Sequence, residues 1–303
     1  MLSICIPIFN FEIGPLVEAL FAQAKELNIG FEILLWEDGS EELYKEKNRF
    51  LREVDRRIQY RELPFNIGRS KIRNELAAAA QYEQLLFLDG DAEILNDQFL
   101  ANYLSALAAK IPPFVICGGR VYPTAVPPRA YRLHWTYGTK RESQAATVRQ
   151  QNPNAAFMTN NFLVSKSIFS TIQFNEVLQG YGHEDTLFGW ELQKMGIQII
   201  HIENPVCHIG LEENKVFLNK TKEGVANLFR LHQLLAAEGH WYKDIKLMNA
   251  FMHLKKRGLA RFAFSLFKPF EPLVQQQLDS DAPFLWLFNG YKLWLLLRED
   301  RDS

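Results

Sequence analysis

Residues Leu85 to Ile94 read LLFLDGDAEI. A continuous apolar run leads into Asp89-Gly90-Asp91, so two carboxylates one residue apart stand at the end of a strand. Hard oxygen donors at that spacing reach one divalent cation, Mg2+ or Mn2+, and a phosphate oxygen can complete its shell. Alone, the pattern fits a polar turn that closes a strand equally well. A second group lies in LQGYGHEDTLFGWELQKMG, Leu178 to Gly196. There Glu184 and Asp185 follow a glycine-bearing loop and open a helix whose apolar face includes Leu187, Trp190 and Leu192. Acids in a first helical turn are favoured by the macrodipole, and the same placement keeps a carboxylate ionised to accept a proton. Both readings stay open on the local residues. His208, in ENPVCHIG after a predicted strand, is a third candidate. A lone histidine is more often structural than a ligand, and His183 and His201 have no matching cysteines to make a zinc set.

The elements that must carry these groups alternate in type. Leu2–Ile8 predicts a strand apolar on both faces. Leu16, Val17, Leu20, Phe21, Ala24 and Leu27 recur at helical spacing after Gly14-Pro15, and Gly30 stops that helix. Phe31–Trp36 is a second strand, ending at Glu37-Asp38-Gly39-Ser40. A charged helix to about Arg57, a strand over Ile58–Glu62, an alanine-rich helix over Arg69–Gln81 and a strand over Leu85–Leu88 follow. Strands apolar on both faces between helices predict an α/β fold, a mainly parallel sheet with helices on both faces. Ligands bind such sheets beyond the carboxyl ends of the strands, where Asn10, Asp38, Asp89 and Asp91 collect. The first turn reads IFNFEIG rather than G-x-G-x-x-G, which excludes a dinucleotide fold at its diagnostic loop. Tyr122–Asn154 is rich in prolines and aromatics with little periodicity and reads as a long functional loop. Strands resume at Phe157–Ser165 and Ile197–Ile202. Beyond Gly210 the pattern is helical, so the expected domains are residues 1–211 and a C-terminal helical extension over 212–303.

The 303 residues carry 34 Lys+Arg and 35 Asp+Glu, a net charge of −1. That balance argues against a surface built to grip nucleic acid. Cys5, Cys117 and Cys207 lie far apart in apolar runs with no C-x-x-C pair, as expected of buried free thiols in a reducing compartment. The N-terminus has no secretory pattern. The tract Phe284 to Leu297, broken by Asn289 and Lys292, is shorter than the roughly 20 apolar residues of a spanning helix. A cytoplasmic protein is expected.

In order, SICIPIFN, EILLWEDGSEE, NIGRSKIRN, FLDGD, NEVLQGYGHEDTLFGWEL and PVCH resemble the family-two glycosyltransferases of the GT-A fold, over about the first 210 residues. The resemblance implies inverting transfer of a sugar from a nucleotide-diphosphate donor, a UDP-sugar by family frequency, to a hydroxyl acceptor. It implies that Pro7, Phe9 and Asp38 hold the nucleotide base, and that Arg69 and Arg73 contact the nucleotide. By the same match Asp91 binds Mn2+ or Mg2+ directly, Asp89 sits nearer the ribose and the metal's water shell, and His208 is a further metal ligand. Asp185 matches the catalytic base and Glu184 its acceptor-orienting neighbour. Here P-I-F-N replaces the usual P-x-Y-N, which costs a hydroxyl at Phe9, and E-D-G-S replaces D-D-G-S, which keeps both carboxylates. No Q-x-x-R-W signature is present, which separates the chain from polymerising synthases. The chemistry is coherent, since a cation stabilises the departing diphosphate and a carboxylate deprotonates a poor nucleophile.

Between His240 and Lys268 there are seven Lys/Arg and one acid, interleaved with Phe251, Phe262, Phe264 and Phe267. Such a stretch either packs its aromatics on a core or lies on an anionic membrane. Packing is the commoner arrangement, while membrane contact through 240–268 suits a lipid-linked acceptor; a glycan is the other acceptor class. Two alternatives to a glycosyltransferase are a sugar nucleotidyltransferase, which normally has a basic Gly-rich loop after the first strand, and a non-catalytic nucleotide-sugar or glycan-binding module.

Overall fold

The even-numbered residues of Leu2–Ile8 and the odd ones face opposite sides of a pleated strand, and both sets are buried or half-buried and apolar but for Ser3, whose hydroxyl donates to Glu32 Oε1 (2.6 Å). In the computed structural model, which describes residues 1–108, 113–178, 180–239 and 241–302, that strand is central to a sheet covered on both faces. His240 of the basic stretch, Gln179 and Ser303 lie outside the described residues.

By contact density the chain divides into two units, one of Met1–Pro123, Ser143–Val177 and Glu184–Gly210, the other of Thr124–Glu142, Leu178–His183 and Leu211–Ser303. With elements numbered along the whole chain, the first unit contains β1 (Leu2–Ile8), α1 (Gly14–Glu26), β2 (Phe31–Glu37), α2 (Glu42–Asn48), β3 (Ile58–Glu62) and α3 (Arg69–Ala79). It continues with β4 (Gln84–Leu88), β5 (Ala92–Glu93), α4 (Phe99–Leu107), β6 (Val115–Cys117) and β7 (Arg120–Val121). After α5 (Arg132–Tyr137) of the second unit come α6 (Ala146–Arg149), β8 (Asn161–Ser165), α7 (Glu184–Lys194), β9 (Ile200–His201) and β10 (Val206–His208).

The seven-stranded sheet runs β3-β2-β1-β4-β8-β6-β9. Its pairs are parallel except those of β8, which runs antiparallel to both β4 and β6. Ile4, Ile6, Ile33, Leu35, Leu86 and Leu88 meet α1 and α4 residues on one face. Cys5, Leu34, Trp36, Leu85 and Phe87 meet Ile72 and Leu76 of α3 and Phe188 and Leu192 of α7 on the other. A smaller sheet, β5-β10-β7, sits past the end of β4. All three cysteines are buried and free.

Several expected boundaries move. The charged helix ends at Asn48 and continues as a 3₁₀ turn over Arg49–Glu53. The Ile197–Ile202 strand shrinks to Ile200–His201 because the Ile197 N–H donates to Leu192 O (2.9 Å), beside left-handed Gly196 (φ 73°), closing α7. Residues 157–160 precede rather than join β8. Tyr122–Asn154 is not one long loop: it holds a 3₁₀ turn over Arg129–Tyr131, α5, a π-helical turn over Gly138–Glu142 and α6.

The second unit is helical: α5, α8 (Asn214–Leu234), α9 (Lys246–Lys256), α10 (Ala260–Phe267), α11 (Glu271–Leu278) and α12 (Leu285–Asp302). Phe288 of α12 packs against Phe217 of α8 and Tyr137 of α5, with ring centroids 5.8 and 5.4 Å away. Among the described residues no helix is long and apolar enough to cross a membrane.

Candidate active site

The chain leaves β1 through Phe9, which is exposed, and Asn10, which turns in the left-handed region (φ 51°) and accepts from the Glu41 N–H (2.8 Å). Pro7 is half-buried within the strand. β2 ends at the buried Asp38, whose carboxylate accepts from the N–H groups of Ile67 (2.6 Å) and Gly68 (3.2 Å). Burial pushes the Asp38 carboxyl above its ordinary value against those two hydrogen bonds. Gly39 (φ 69°) is required here, since a Cβ would stand 2.3 Å from the Asn66 N. The acidic turn after β2 therefore holds the backbone that opens α3.

α3 presents Arg69 and Arg73, one turn apart on one helix face. Arg73 is 2% exposed, with Nη2 2.7 Å from Asp89 Oδ1 and Nη1 4.0 Å from Glu184 Oε1. Arg69 Nε is 3.1 Å from the same Glu184 oxygen, and its Nη2 is 3.8 Å from Asp89 Oδ2. Two guanidiniums from α3 thus join the end of β4 to the start of α7. The expected site acids Asp89 and Glu184, 95 residues apart in sequence, share both cations.

Asp185 follows Glu184 in the first turn of α7, and its Oδ1 accepts from the Thr186 N–H (2.6 Å). Its carboxyl is pushed up to about 6, first by burial and then by the Glu184 charge, with the Thr186 hydrogen bond, Arg69 and Arg120 pulling the other way. His183, just before the helix, has φ 71°, a strained value for a residue with a Cβ.

Asp91 lies on the opposite side of Gly90 from Asp89. Its Oδ1 is 3.2 Å from His208 Nδ1, and its backbone O accepts from the Ile209 N–H (3.0 Å). Gly210 gives the carboxylate room: a Cβ there would meet Asp91 Oδ2 at 2.6 Å. Burial raises the Asp91 carboxyl, but His208, Arg120 and Arg69 outweigh it and hold the group below its ordinary value. Antiparallel pairing of His208 with Ala92 brings β10 back to the D-x-D turn.

Among the described residues no set of three or more His, Cys, Asp and Glu forms a complete metal cage. Asp91 and His208 nonetheless fit a divalent cation whose remaining positions come from a ligand. Two donors each about 2.1 Å from one ion at a right angle stand about 3 Å apart, which matches their 3.2 Å separation. A carboxylate with an imidazole suits Mn2+ and tolerates Mg2+.

Sequence reasoning missed two neighbours. Arg120 on β7 acts electrostatically on both Asp91 and Asp185, and donates to the Tyr122 hydroxyl at 3.4 Å. Tyr122 lies edge-on to the His208 ring at 5.2 Å. A basic residue in an aperiodic stretch has no distinguishing signal until β7 pairs with β10. Asn160 is also buried, its amide without a hydrogen-bond partner among the described residues, and its backbone O accepts from the Asp89 N–H (3.1 Å).

Residues 3–173, more than half of the chain, match the model of the family described as Glycosyl transferase family 2. No curated protein matches the sequence. Among solved structures, the mannosyltransferase PcManGT from Pyrobaculum calidifontis, in complex with GDP-Man and Mn2+, is 14% identical with a TM-score of 0.62, covering 100% of this chain and 87% of that one. TarS 1-349 from S. aureus is 16% identical with a TM-score of 0.51, covering 99% and 91%. Glucosyl-3-phosphoglycerate synthase from Mycobacterium tuberculosis, with Mn2+, UDP and phosphoglyceric acid, is 15% identical at 0.51, covering 76% and 78%. These likenesses show a GT-A fold, as the sheet order does. The protein belongs to glycosyl transferase family 2.

Proposed function

We propose that this chain transfers a sugar from a nucleotide-diphosphate donor to an acceptor hydroxyl with inversion, in the presence of Mn2+ or Mg2+. The observation that carries the reading is that Arg69 and Arg73 of α3 bridge Asp89, at the end of β4, to Glu184, at the start of α7, which brings the D-x-D turn and the Glu184-Asp185 pair to one place.

Asp91 and His208 would hold the cation, with Asp89 on the other side of Gly90. When bound, the ion neutralises charge that develops on the departing diphosphate. Arg69, whose side chain is 38% exposed, contacts the nucleotide, while the expected contact from Arg73 gives way to its buried pairing with Asp89 and Glu184. Pro7, Phe9 and the Asp38 turn form the base-binding wall, Phe9 through its exposed ring. Asp185 takes the proton of the acceptor hydroxyl as its oxygen bonds to the anomeric carbon and the carbon–oxygen bond to the diphosphate breaks. One displacement with one base inverts the centre; retention would need a nucleophilic carboxylate beneath it. A carboxyl titrating at about 6 is mostly ionised at neutral pH yet more basic than an ordinary aspartate, which suits a general base. Glu184, held by Arg69 and Arg73, orients the acceptor and sustains that basicity.

The donor is a UDP-sugar, with GDP-mannose the second to test, since PcManGT was solved with GDP-Man. The acceptor is a glycan or a lipid-linked sugar of polysaccharide or glycolipid assembly, in the cytoplasm. We assign transfer to residues 1–211 and an accessory role to the helical region 212–303. A thermal-shift screen of nucleotide sugars with Mn2+ finds the donor, because a ligand of the native state raises its melting temperature. Nuclear magnetic resonance of the product reads the anomeric configuration. Full turnover by Asp185→Asn removes Asp185 as base; donor binding without transfer or donor hydrolysis supports the non-catalytic module instead.

A further inference from the structure

The basic, aromatic stretch in the second unit neither packs wholly inward nor lies wholly outside. Phe251 and Phe264 are buried, and Phe264 and Phe267 stack on Trp294 of α12, each 5.7 Å away. Val274 and Leu278 continue that inward stripe along α11. A second apolar stripe faces out. α10, a 3₁₀ turn over Lys268–Phe270 and α11 follow one another without a break. Along them Leu259, Phe262, Leu266, Phe270 and Leu273 are 43%, 67%, 58%, 52% and 63% exposed. Their spacing is three, four, four and three residues, so they form one helical ridge distinct from the core stripe. Phe284, whose N–H donates to Gln277 Oε1 (3.0 Å), stacks with the exposed Trp286 at the end of α11.

Isolated exposed apolar residues are ordinary, but a ridge of five with a terminal aromatic pair is a contact surface. Its chemistry comes from the charges beside it. From Ile245 to Phe270 there are six Lys/Arg and no Asp or Glu. Lys255 is paired with Asp300 (2.6 Å), while Lys256, Arg257, Arg261 and Lys268 are exposed and make no ion pair with the described residues. A groove beside the ridge is lined by Arg261, Lys268 and Arg301 together with the acids Glu271 and Asp300, so the unpaired positive charge is concentrated at Lys256, Arg257 and Arg261. An apolar ridge flanked by unneutralised cations and ending in Trp is complementary to an anionic bilayer, whose headgroups meet the cations while its acyl boundary takes the ridge. We propose that the α10–α11 ridge docks this protein on anionic membrane surfaces, Phe262, Leu266 and Leu273 entering the interface and Lys256, Arg257 and Arg261 lying against the headgroups. This surface belongs to one unit, and the proposal stands whether or not the chain transfers sugar.

The test is flotation of the full chain with phosphatidylcholine vesicles and with equimolar phosphatidylcholine and phosphatidylglycerol, at low salt and on the order of 1 M salt. Binding to the anionic vesicles alone, lost at high salt, is expected. Each cation near an anionic surface contributes roughly fivefold to partitioning, so Lys256→Gln, Arg257→Gln and Arg261→Gln combined lower it on the order of a hundredfold. Phe262→Ser, Leu266→Ser and Leu273→Ser combined lower it by roughly tenfold or more, with the circular dichroism and urea midpoint of the parent. Failure to float with anionic vesicles at low salt overturns the proposal, as does binding that either variant leaves unchanged. A lipid-free dimer that the serine variant makes monomeric also overturns it, because a second copy would then be the occupant. Should the serine variant misfold, retained flotation of the glutamine variant still overturns the proposal and its loss still supports it.

Discussion

Replacing Asp185 by Asn should abolish transfer and stabilise the fold, and the stabilisation should depend on pH. The carboxyl titrates at 3.8 unfolded and is pushed up to about 6 in the native state. Between those values the folded chain keeps a proton that the unfolded chain has released. Stability contributed by Asp185 is therefore full below about pH 4 and falls as pH rises through 6. Each pH unit between the two titration points corresponds to about 1.36 kcal/mol, so the ionised carboxylate costs the native state about 3 kcal/mol. The Asn amide oxygen still accepts from Thr186 N–H and removes the charge facing Glu184. In urea titrations followed by tryptophan fluorescence, with metal chelated, Asp185→Asn should exceed the parent by about 2–3 kcal/mol at pH 8 and match it near pH 4. Comparing variant with parent cancels the titrating groups that do not interact with Asp185, and what is left belongs to the Asp185–Glu184 pair. Equal stability at both pH values, or a variant weaker at pH 8, would refute the view that burial and Glu184 set the basicity of this group.

The same titration point makes kcat/KM fall about tenfold per pH unit well below 6, which a pH–rate profile at saturating Mn2+ checks. Arg73→Met should lose about 3 kcal/mol in urea denaturation, because it leaves the Asp89 and Glu184 charges short of a buried partner. Gly39→Ala, with its Cβ against Asn66 N and a positive φ, should lose roughly 2 kcal/mol or more and weaken nucleotide binding by loosening the backbone that Asp38 holds. His208→Ala should lower Mn2+ affinity by at least roughly tenfold in calorimetry, and chelation of metal should stop transfer by the parent protein.

Much of the sheet was legible from local pattern. β1, β2 and β4 fall where largely apolar runs end in polar turns, because a strand buried on both faces admits few polar residues, whereas β3 alternates buried Ile58 and Tyr60 with exposed Gln59 and Arg61. The D-x-D turn and the acidic start of α7 were legible for the same reason: strand ends and helix starts are where short polar residues are tolerated. Less legible were pieces whose state depends on a distant partner. β9 is short because Ile197 caps α7, and β5, β7 and β10 exist only as a mutual pairing. The prolines of Tyr122–Asn154 suggested a loop, yet short helices form there where Leu133 N–H finds the Asn214 side chain (2.9 Å).

Residue types along the chain determined which groups could bind an ion or move a proton, and the alternation of apolar runs determined that strand ends would collect them. Tertiary structure alone decided their electrical state. Arg69, Arg73 and Arg120 come from α3 and β7, and only folding sets them among Asp89, Asp91, Glu184 and Asp185. Coulombic coupling and desolvation depend on distance through space, which sequence separation does not encode. That is why two aspartates of the same intrinsic acidity end on opposite sides of it, Asp91 below and Asp185 above.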